Sequence, residues 1–220
     1  MTITTKLVST GLAISAIGGA GYTANYFLNQ NTLGKALEAK GHTLLNFDTN
    51  KKDDKDTWNP IVLAYSKSTT KFEGTTITIP PSSSETPNQE NINELKNACA
   101  KAISLTNYKN PTASVAEQFC VTPKTIEELV KKDRDVLNST ANTNNHDSNW
   151  DSKVTEYLSA EDNEKITSVS ITSSEPSDKP AKREKLKAGC LGIKSKKTYE
   201  PDFHSNLAKF TKWCSNPKKQ

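Results

Sequence analysis

The second half of this chain repeats the first half at a shift of about 92 residues, as from Trp58 to Trp150. Large apolar residues recur at that shift, while the residues between them change. The matched pairs are Leu37 with Leu129, Leu45 with Leu137, Trp58 with Trp150, Val62 with Val154, Tyr65 with Tyr157, and Ile79 with Ile171. Such a pattern indicates a duplicated fold with the same core in each copy. We therefore predict two tandem repeats of about 90 residues, residues 31–122 and 123–215, and a polar tail at 216–220.

The four cysteines of the chain recur with the repeat, so that each copy has one pair. The motif Leu95, Lys96, Cys99 returns as Leu186, Lys187, Cys190, and Phe119–Cys120 returns as Trp213–Cys214. We predict a disulfide between Cys99 and Cys120 and another between Cys190 and Cys214. Closing a loop of some twenty residues stabilises a fold by roughly 3 kcal/mol. The alternative is four buried free thiols that pack as small hydrophobic side chains.

A crosslink within each repeat would matter because the cores are small. Only 33% of the residues are hydrophobic, and lean cores of this size are marginally stable without a covalent link. Zinc is not expected, because the cysteines lack the C-x-x-C spacing of structural zinc sites and only His204 is close to one of them. No metal or other cofactor is predicted.

The N-terminus differs sharply from this polar average. No charged residue lies between Lys6 and Lys35, and residues 7–28 are apolar or small, close to the ~20 residues that a membrane-spanning helix needs. A cleaved signal peptide would use the first part of this segment, whereas an uncleaved anchor would use all of it. We favour the anchor and assign residues 1–30 to it. Because disulfides persist outside the reducing cytosol, the body is expected to be extracytoplasmic at the cell membrane.

Periodicity predicts an α+β fold dominated by helices, with the order helix, strand, helix, strand, helix, helix in each copy. Helices are expected at 33–40, 58–65, 91–105, 110–120, 126–132, 150–158, 182–191 and 203–214. Strands are expected at 42–47, 75–79, 136–137 and 166–171. Asp56 and Thr57 are expected to cap the Trp58 helix. The recurring aromatic residues Trp58, Tyr65, Trp150 and Tyr157 fall at helical spacing, which indicates core anchors.

Signatures of catalysis are absent from the sequence. It has no glycine-rich phosphate loop, no G-x-S-x-G and no H-E-x-x-H motif. His42, His146 and His204 do not recur in the other copy, and we expect them at the surface. The 29 basic and 25 acidic residues are intermixed, so no concentrated basic stripe is available for nucleic acid. We expect neither enzymatic activity nor a nucleic-acid partner.

Together these motifs resemble the large paralogous protein families of haemotropic mycoplasmas. The resemblance is carried by the apolar N-terminus, L-x3-G-x2-LL from Leu37 to Leu45, and W-x6-Y at Trp58 and Trp150. It continues in L-K-x2-C and the closing aromatic-Cys pairs, so it covers nearly the whole chain. The second copy departs from it by having Asp133 in place of Gly41. The resemblance implies an uncharacterised, surface-displayed protein that varies among paralogues in a way suited to antigenic variation.

Two functions remain as hypotheses from the sequence. In the first, a membrane-anchored surface protein without enzymatic activity presents variable polar loops to a host cell or host protein. Those loops are residues 46–57, 80–90, 140–148 and 173–181. The alternative is an extracytoplasmic binding module, such as an adhesin or a nutrient-capturing protein. It predicts a partly apolar cleft between the two copies.

Overall fold

A computed structural model describes residues 32–51, 54–79, 86–143, 146–172 and 179–218. These residues form a helix-dominant α+β fold with eight α-helices and one two-stranded sheet. The helices are α1 (Leu33–Ala39), α2 (Lys55–Lys67), α3 (Gln89–Ile103), α4 (Thr112–Phe119), α5 (Ile126–Val130), α6 (Asp147–Ser159), α7 (Lys179–Ile193) and α8 (Phe203–Trp213). The strands are β1 (Arg134–Val136) and β2 (Ser215–Pro217), and a short 3-10 helix spans Asp162–Glu164.

Local capping explains where several of these helices begin. Thr32 accepts a hydrogen bond from the Lys35 amide at the start of α1. Asn88 and Thr125 each form a reciprocal capping box with the third residue of α3 and α5, which satisfies amides that lack a partner in the first turn. The predicted cap of the Trp58 helix is wrong, because α2 begins at Lys55, after Asp54.

The apolar residues form two separate clusters. The first draws on α1 to α4 and includes Trp58, Tyr65 and Cys99. The second draws on α5 to α8 and includes Trp150 and Tyr157. In each cluster the last helix of the group packs on the helix that carries the tryptophan. The ring centroids of Tyr65 and Phe119 lie 5.1 Å apart, and those of Tyr157 and Trp213 lie 4.9 Å apart.

The sheet is smaller than the sequence predicts. Strand β1 pairs with β2 antiparallel, with Asp135 opposite Asn216, so strand pairing occupies part of the segment predicted as a polar tail. The strand predicted at 42–47 is wrong: its described pairing is an isolated bridge between Leu44 and Val121. The strands predicted at 75–79 and 166–171 are also wrong, because neither segment is assigned to a strand.

Tyrosine side chains make hydrogen bonds to the two segments near 75–79 and 166–171 that were predicted to pair with neighbouring strands. The Tyr65 hydroxyl accepts from the Phe72 amide at 2.9 Å and donates to the Thr75 carbonyl at 3.2 Å. The Tyr157 hydroxyl lies 3.2 Å from the carbonyls of Ile166 and Val169. The segments at 75–79 and 166–171 are therefore held on the core by side-chain contacts and by burial of their apolar residues. Burial on one side gives their sequences the alternation of a strand, although neither pairs with another strand.

The predicted anchor at residues 7–28 lies outside the residues that the structure describes, as do parts of all four predicted polar loops. Among the described helices, none combines the length and the apolar character required to cross a membrane.

Candidate functional site

The two disulfides join the third and fourth helices of each group. Cys99 on α3 is bonded to Cys120 at the end of α4, with 5.5 Å between their Cα atoms. Cys190 on α7 is bonded to Cys214 at the end of α8, with 5.8 Å between Cα atoms. All four sulfur atoms lie in the buried cores, and the predicted pairing is confirmed.

The recurring aromatic residues lie inside these cores. Trp58 and Trp150 are 1% and 0% exposed, and Tyr65 and Tyr157 are fully buried. Burial raises the pKa of both tyrosine hydroxyls above the ordinary value. Protein covers the rings of all four residues. Neither tryptophan therefore has a free face on which a ligand could stack.

A buried lysine holds the polar loop that precedes α2. Lys96, three residues before Cys99 on α3, is 0% exposed. Its Nζ donates to the main-chain carbonyls of Asp48 at 2.9 Å and Lys51 at 3.0 Å, and to Oδ2 of Asp54 at 2.8 Å. These three acceptor groups match the three protons of an ammonium group. We call Lys96 with its three partners the first lysine clamp.

The second group of helices has a related arrangement, which we call the second lysine clamp. Lys187, three residues before Cys190 on α7, is 1% exposed. Its Nζ donates to the Thr143 carbonyl and to Oε1 of Glu184, both at 2.8 Å. The other oxygen of Glu184 accepts from the Asn142 amide at 3.1 Å. The loop before α6 is therefore also fixed through its main chain.

The clamps were not predicted, although their lysines belong to a motif that the sequence shows twice. Lysine is seldom fully buried unless it is paired, so Lys96 and Lys187 would ordinarily be placed at the surface. The available signal was the recurrence of lysine at a fixed position between a core leucine and a crosslinked cysteine. A residue that recurs beside core residues on the same helix is itself expected to be buried.

A half-buried carboxylate with two basic neighbours lies close to where the two groups of helices meet. Glu117 on α4 accepts a hydrogen bond from Nε2 of His42 at 3.1 Å, and Nζ of Lys40 lies 3.4 Å from its other oxygen. Burial alone would raise the pKa of Glu117, but the bond to His42 and the charges on Lys40 and His204 lower it to about 2. The neighbouring Gln118 donates to the Glu200 carbonyl at 3.2 Å, which links α4 to the second group.

The contact between His42 and Glu117 corrects the expectation that all three histidines lie at the surface. The His42 side chain is only 7% exposed, and His204 is half-buried, whereas His146 is exposed at the start of α6. Nothing in the sequence around His42 marked it, since Glu117 lies 75 residues away.

Two surface cavities lie beside the segments that the tyrosines hold. One, of about 500 Å³, is lined by Val169, Lys185 and Gly189 among others. The other, of about 250 Å³, is lined by residues that include Leu63, Lys71 and Ile77. Each is lined by residues of one group of helices. In the described ranges, no cluster of three histidine, cysteine or acidic side chains has the geometry to hold a metal ion.

No protein-family model matches the chain, and comparisons with curated proteins and with solved structures likewise find no match.

Proposed function

We propose that the chain is a membrane-anchored protein displayed on the cell surface, without enzymatic activity, that presents variable polar loops on a disulfide-crosslinked scaffold. Its role would be antigenic variation or contact with a host cell or host protein, as the sequence resemblance implies. The observation that carries the proposal is the way in which both lysine clamps hold their loops.

Both clamps bind the loops mainly through the main chain. Lys96 binds the carbonyls of Asp48 and Lys51, and Lys187 binds the carbonyl of Thr143. A main-chain carbonyl is present whatever side chain a residue carries. Loop side chains other than Asp54, whose carboxylate Lys96 also binds, can therefore change without removing these hydrogen bonds. A surface under selection for variation requires this property.

The scaffold in this proposal consists of two tandem repeats, α1 to α4 and α5 to α8. Supporting it, the same kinds of residue have the same burial in the same order: a tryptophan, a tyrosine, a clamping lysine and a cysteine in each group. Repeats with a shared core and different surfaces are what duplication followed by surface divergence produces.

The extracytoplasmic location is supported by the disulfides. All four cysteines are paired and none is free, and structural disulfides are rare in the reducing cytosol. The alternative function, a binding module such as an adhesin or nutrient-capturing protein, predicts a cleft between the repeats. The two cavities described above each lie within one group of helices.

The test labels intact cells that make the full chain. An epitope tag is inserted between Ser83 and Ser84 in one variant and between Ser174 and Glu175 in a second variant, both within predicted polar loops and away from the lysine clamps. Antibody binding is compared before and after permeabilisation. Free thiols are alkylated at lysis and the disulfides are mapped by mass spectrometry. We expect both tags to be labelled on intact cells and both predicted disulfides to be found. Labelling only after permeabilisation, together with four alkylated thiols, would contradict the proposal.

A further inference from the structure

One part of the first repeat is basic and free of acidic residues. Residues 95–116 contain no aspartate or glutamate, although the whole chain has 25 acidic residues. Within this stretch Lys101 and Lys109 are exposed. The C-terminal half of α3 and the connection to α4 therefore carry exposed lysines and no acidic residue of their own.

The start of α1 packs on this acid-free stretch. The Leu33 amide donates to the Leu105 carbonyl at 2.8 Å. A Cβ atom at Gly34 would lie 3.3 Å from both the side chain and the carbonyl of Ile103, so glycine permits the two backbones to approach closely. Lys35 is the next residue of α1 and is exposed. Lys101 and Lys109 lie four residues before and four residues after Leu105. We call these three exposed lysines near the contact, Lys35, Lys101 and Lys109, the basic face.

The basic face lies where the chain leaves the predicted anchor. The apolar segment ends at residue 28, four residues before Thr32. Four residues of fully extended chain span roughly 14 Å. With the anchor in a bilayer, the contact between Leu33 and Leu105 must therefore lie close to the lipid headgroups.

We propose that the basic face contacts the anionic headgroups of the membrane that holds the anchor, and so fixes the orientation of the body. This inference rests on the proposed function, because it requires an uncleaved anchor. Glu38, one turn after Lys35, is the acidic residue nearest to it along α1. Surface charges within a Debye length of an anionic bilayer are attracted to it.

The contact would direct the loops away from the membrane. Helix α3 begins at Gln89, beside the 80–90 loop, and ends at Ile103, in contact with the start of α1. Its 15 residues span about 22 Å at the rise of an α-helix. Lipid contact at the C-terminal end would place the N-terminal end, with its loop, up to that distance from the headgroups.

The test measures lysine acylation in the full chain. The protein is placed in nanodiscs of phosphatidylcholine alone or of phosphatidylcholine with phosphatidylglycerol, and mass spectrometry gives the acylation rate of each lysine. We expect Lys35, Lys101 and Lys109 to react about fivefold more slowly in the anionic nanodiscs, and high salt to remove the difference. Lys182 and Lys185 on α7 are expected to react equally in both.

Charge-reversal variants sharpen the result. In K101E/K109E, Lys35 should react at the same rate in both nanodiscs, whereas the control K182E/K185E should behave like the wild type. A chain that enters both nanodiscs but shows equal rates at the basic face would overturn this inference and leave the anchor standing. A chain that enters neither would overturn the anchor and this inference together.

Discussion

Nζ of Lys96 lies 2.8 Å from Oδ2 of Asp54, and the lysine side chain is fully buried while the aspartate is 14% exposed. The pair connects α3 to the residue that precedes α2. A buried ammonium group without its partners would be strongly unfavourable, and so would the partners without the ammonium. Removing one member of this pair is therefore expected to destabilise the first group of helices strongly.

Lys96→Met should destabilise the protein by roughly 3 kcal/mol, because it leaves one carboxylate and two carbonyls without their buried donor. Lys101→Met, an exposed position on the same helix, should change stability by less than about 0.5 kcal/mol. Urea unfolding of the full chain in detergent measures both. Equal effects of the two substitutions would show that the first lysine clamp contributes nothing.

Substitution of loop side chains should be nearly neutral. Lys51→Ala keeps the carbonyl that Lys96 binds and removes only an exposed side chain, so we expect a change within about 0.5 kcal/mol. The same unfolding measurement applies. A loss as large as that of Lys96→Met would mean that the loop depends on its side chains, which would contradict the basis of the proposed function.

Glu117→Gln should make stability less dependent on pH in the acidic range. The pKa of Glu117 is about 2, against an ordinary 4.5, so folding is favoured by its ionised form. That contribution, roughly 3 kcal/mol, is present above pH 4.5 and is lost as the pH falls towards 2. The difference between wild type and variant should therefore be largest near neutrality and shrink on acidification.

Thermal unfolding across this pH range gives the comparison, and Glu156→Gln is the control because Glu156 is 58% exposed. If the difference between wild type and Glu117→Gln stays constant from neutral pH to pH 2, the assignment of the low pKa is wrong.

Removal of either disulfide should cost about the same. The cysteines of the two bonds are separated by 21 and 24 residues in the sequence. The double variant Cys99→Ala/Cys120→Ala and the double variant Cys190→Ala/Cys214→Ala should therefore each lose roughly 3 kcal/mol of folding stability. Hydrogen exchange should show the loss mainly in the core that contains the deleted bond. Equal loss of protection in both cores would indicate that the groups of helices unfold together.

Gly189→Ala should be destabilising by about 1–3 kcal/mol, because its Cβ would clash with Cγ2 of Val169. The additional substitution Val169→Ala should recover much of that loss by removing the clashing methyl group. A double-mutant cycle by urea unfolding tests the coupling. Additive effects would show that contact with Val169 is not the cause of the loss.

The helices could be predicted from the sequence because their signals are local. Apolar spacing and capping residues such as Thr125 lie within a few positions of each helix start, and all eight helices are present. The strand predicted at 136–137 overlaps β1. The strands predicted at 75–79 and 166–171 failed because alternation near Ile77 and Ile166 reports burial on one side, not the presence of a neighbouring strand. The partners there are the hydroxyls of Tyr65 and Tyr157, which the sequence does not connect to these segments.

The sites that the sequence missed depend on distant partners. Lys96 meets Asp48 across 48 positions and His42 meets Glu117 across 75. Lysine and histidine are not ordinarily buried. The burial of Lys96 and His42 therefore became evident only in the fold, where each meets its partner. The cysteines were easier, because two pairs with similar spacing leave little choice of partner.

Each disulfide closes within its own group of helices, and all four cysteines are used in this way. The peptide chain from Val121 to Thr125 is therefore the one covalent tie between the first core and the second. After a single proteolytic cut there, the two halves would be held together by noncovalent contacts such as the hydrogen bonds of Lys124 and Lys132 to the Gly41 carbonyl. If the protein is anchored at the cell surface as proposed, the second group of helices could then be released while the first keeps its crosslink and its fold.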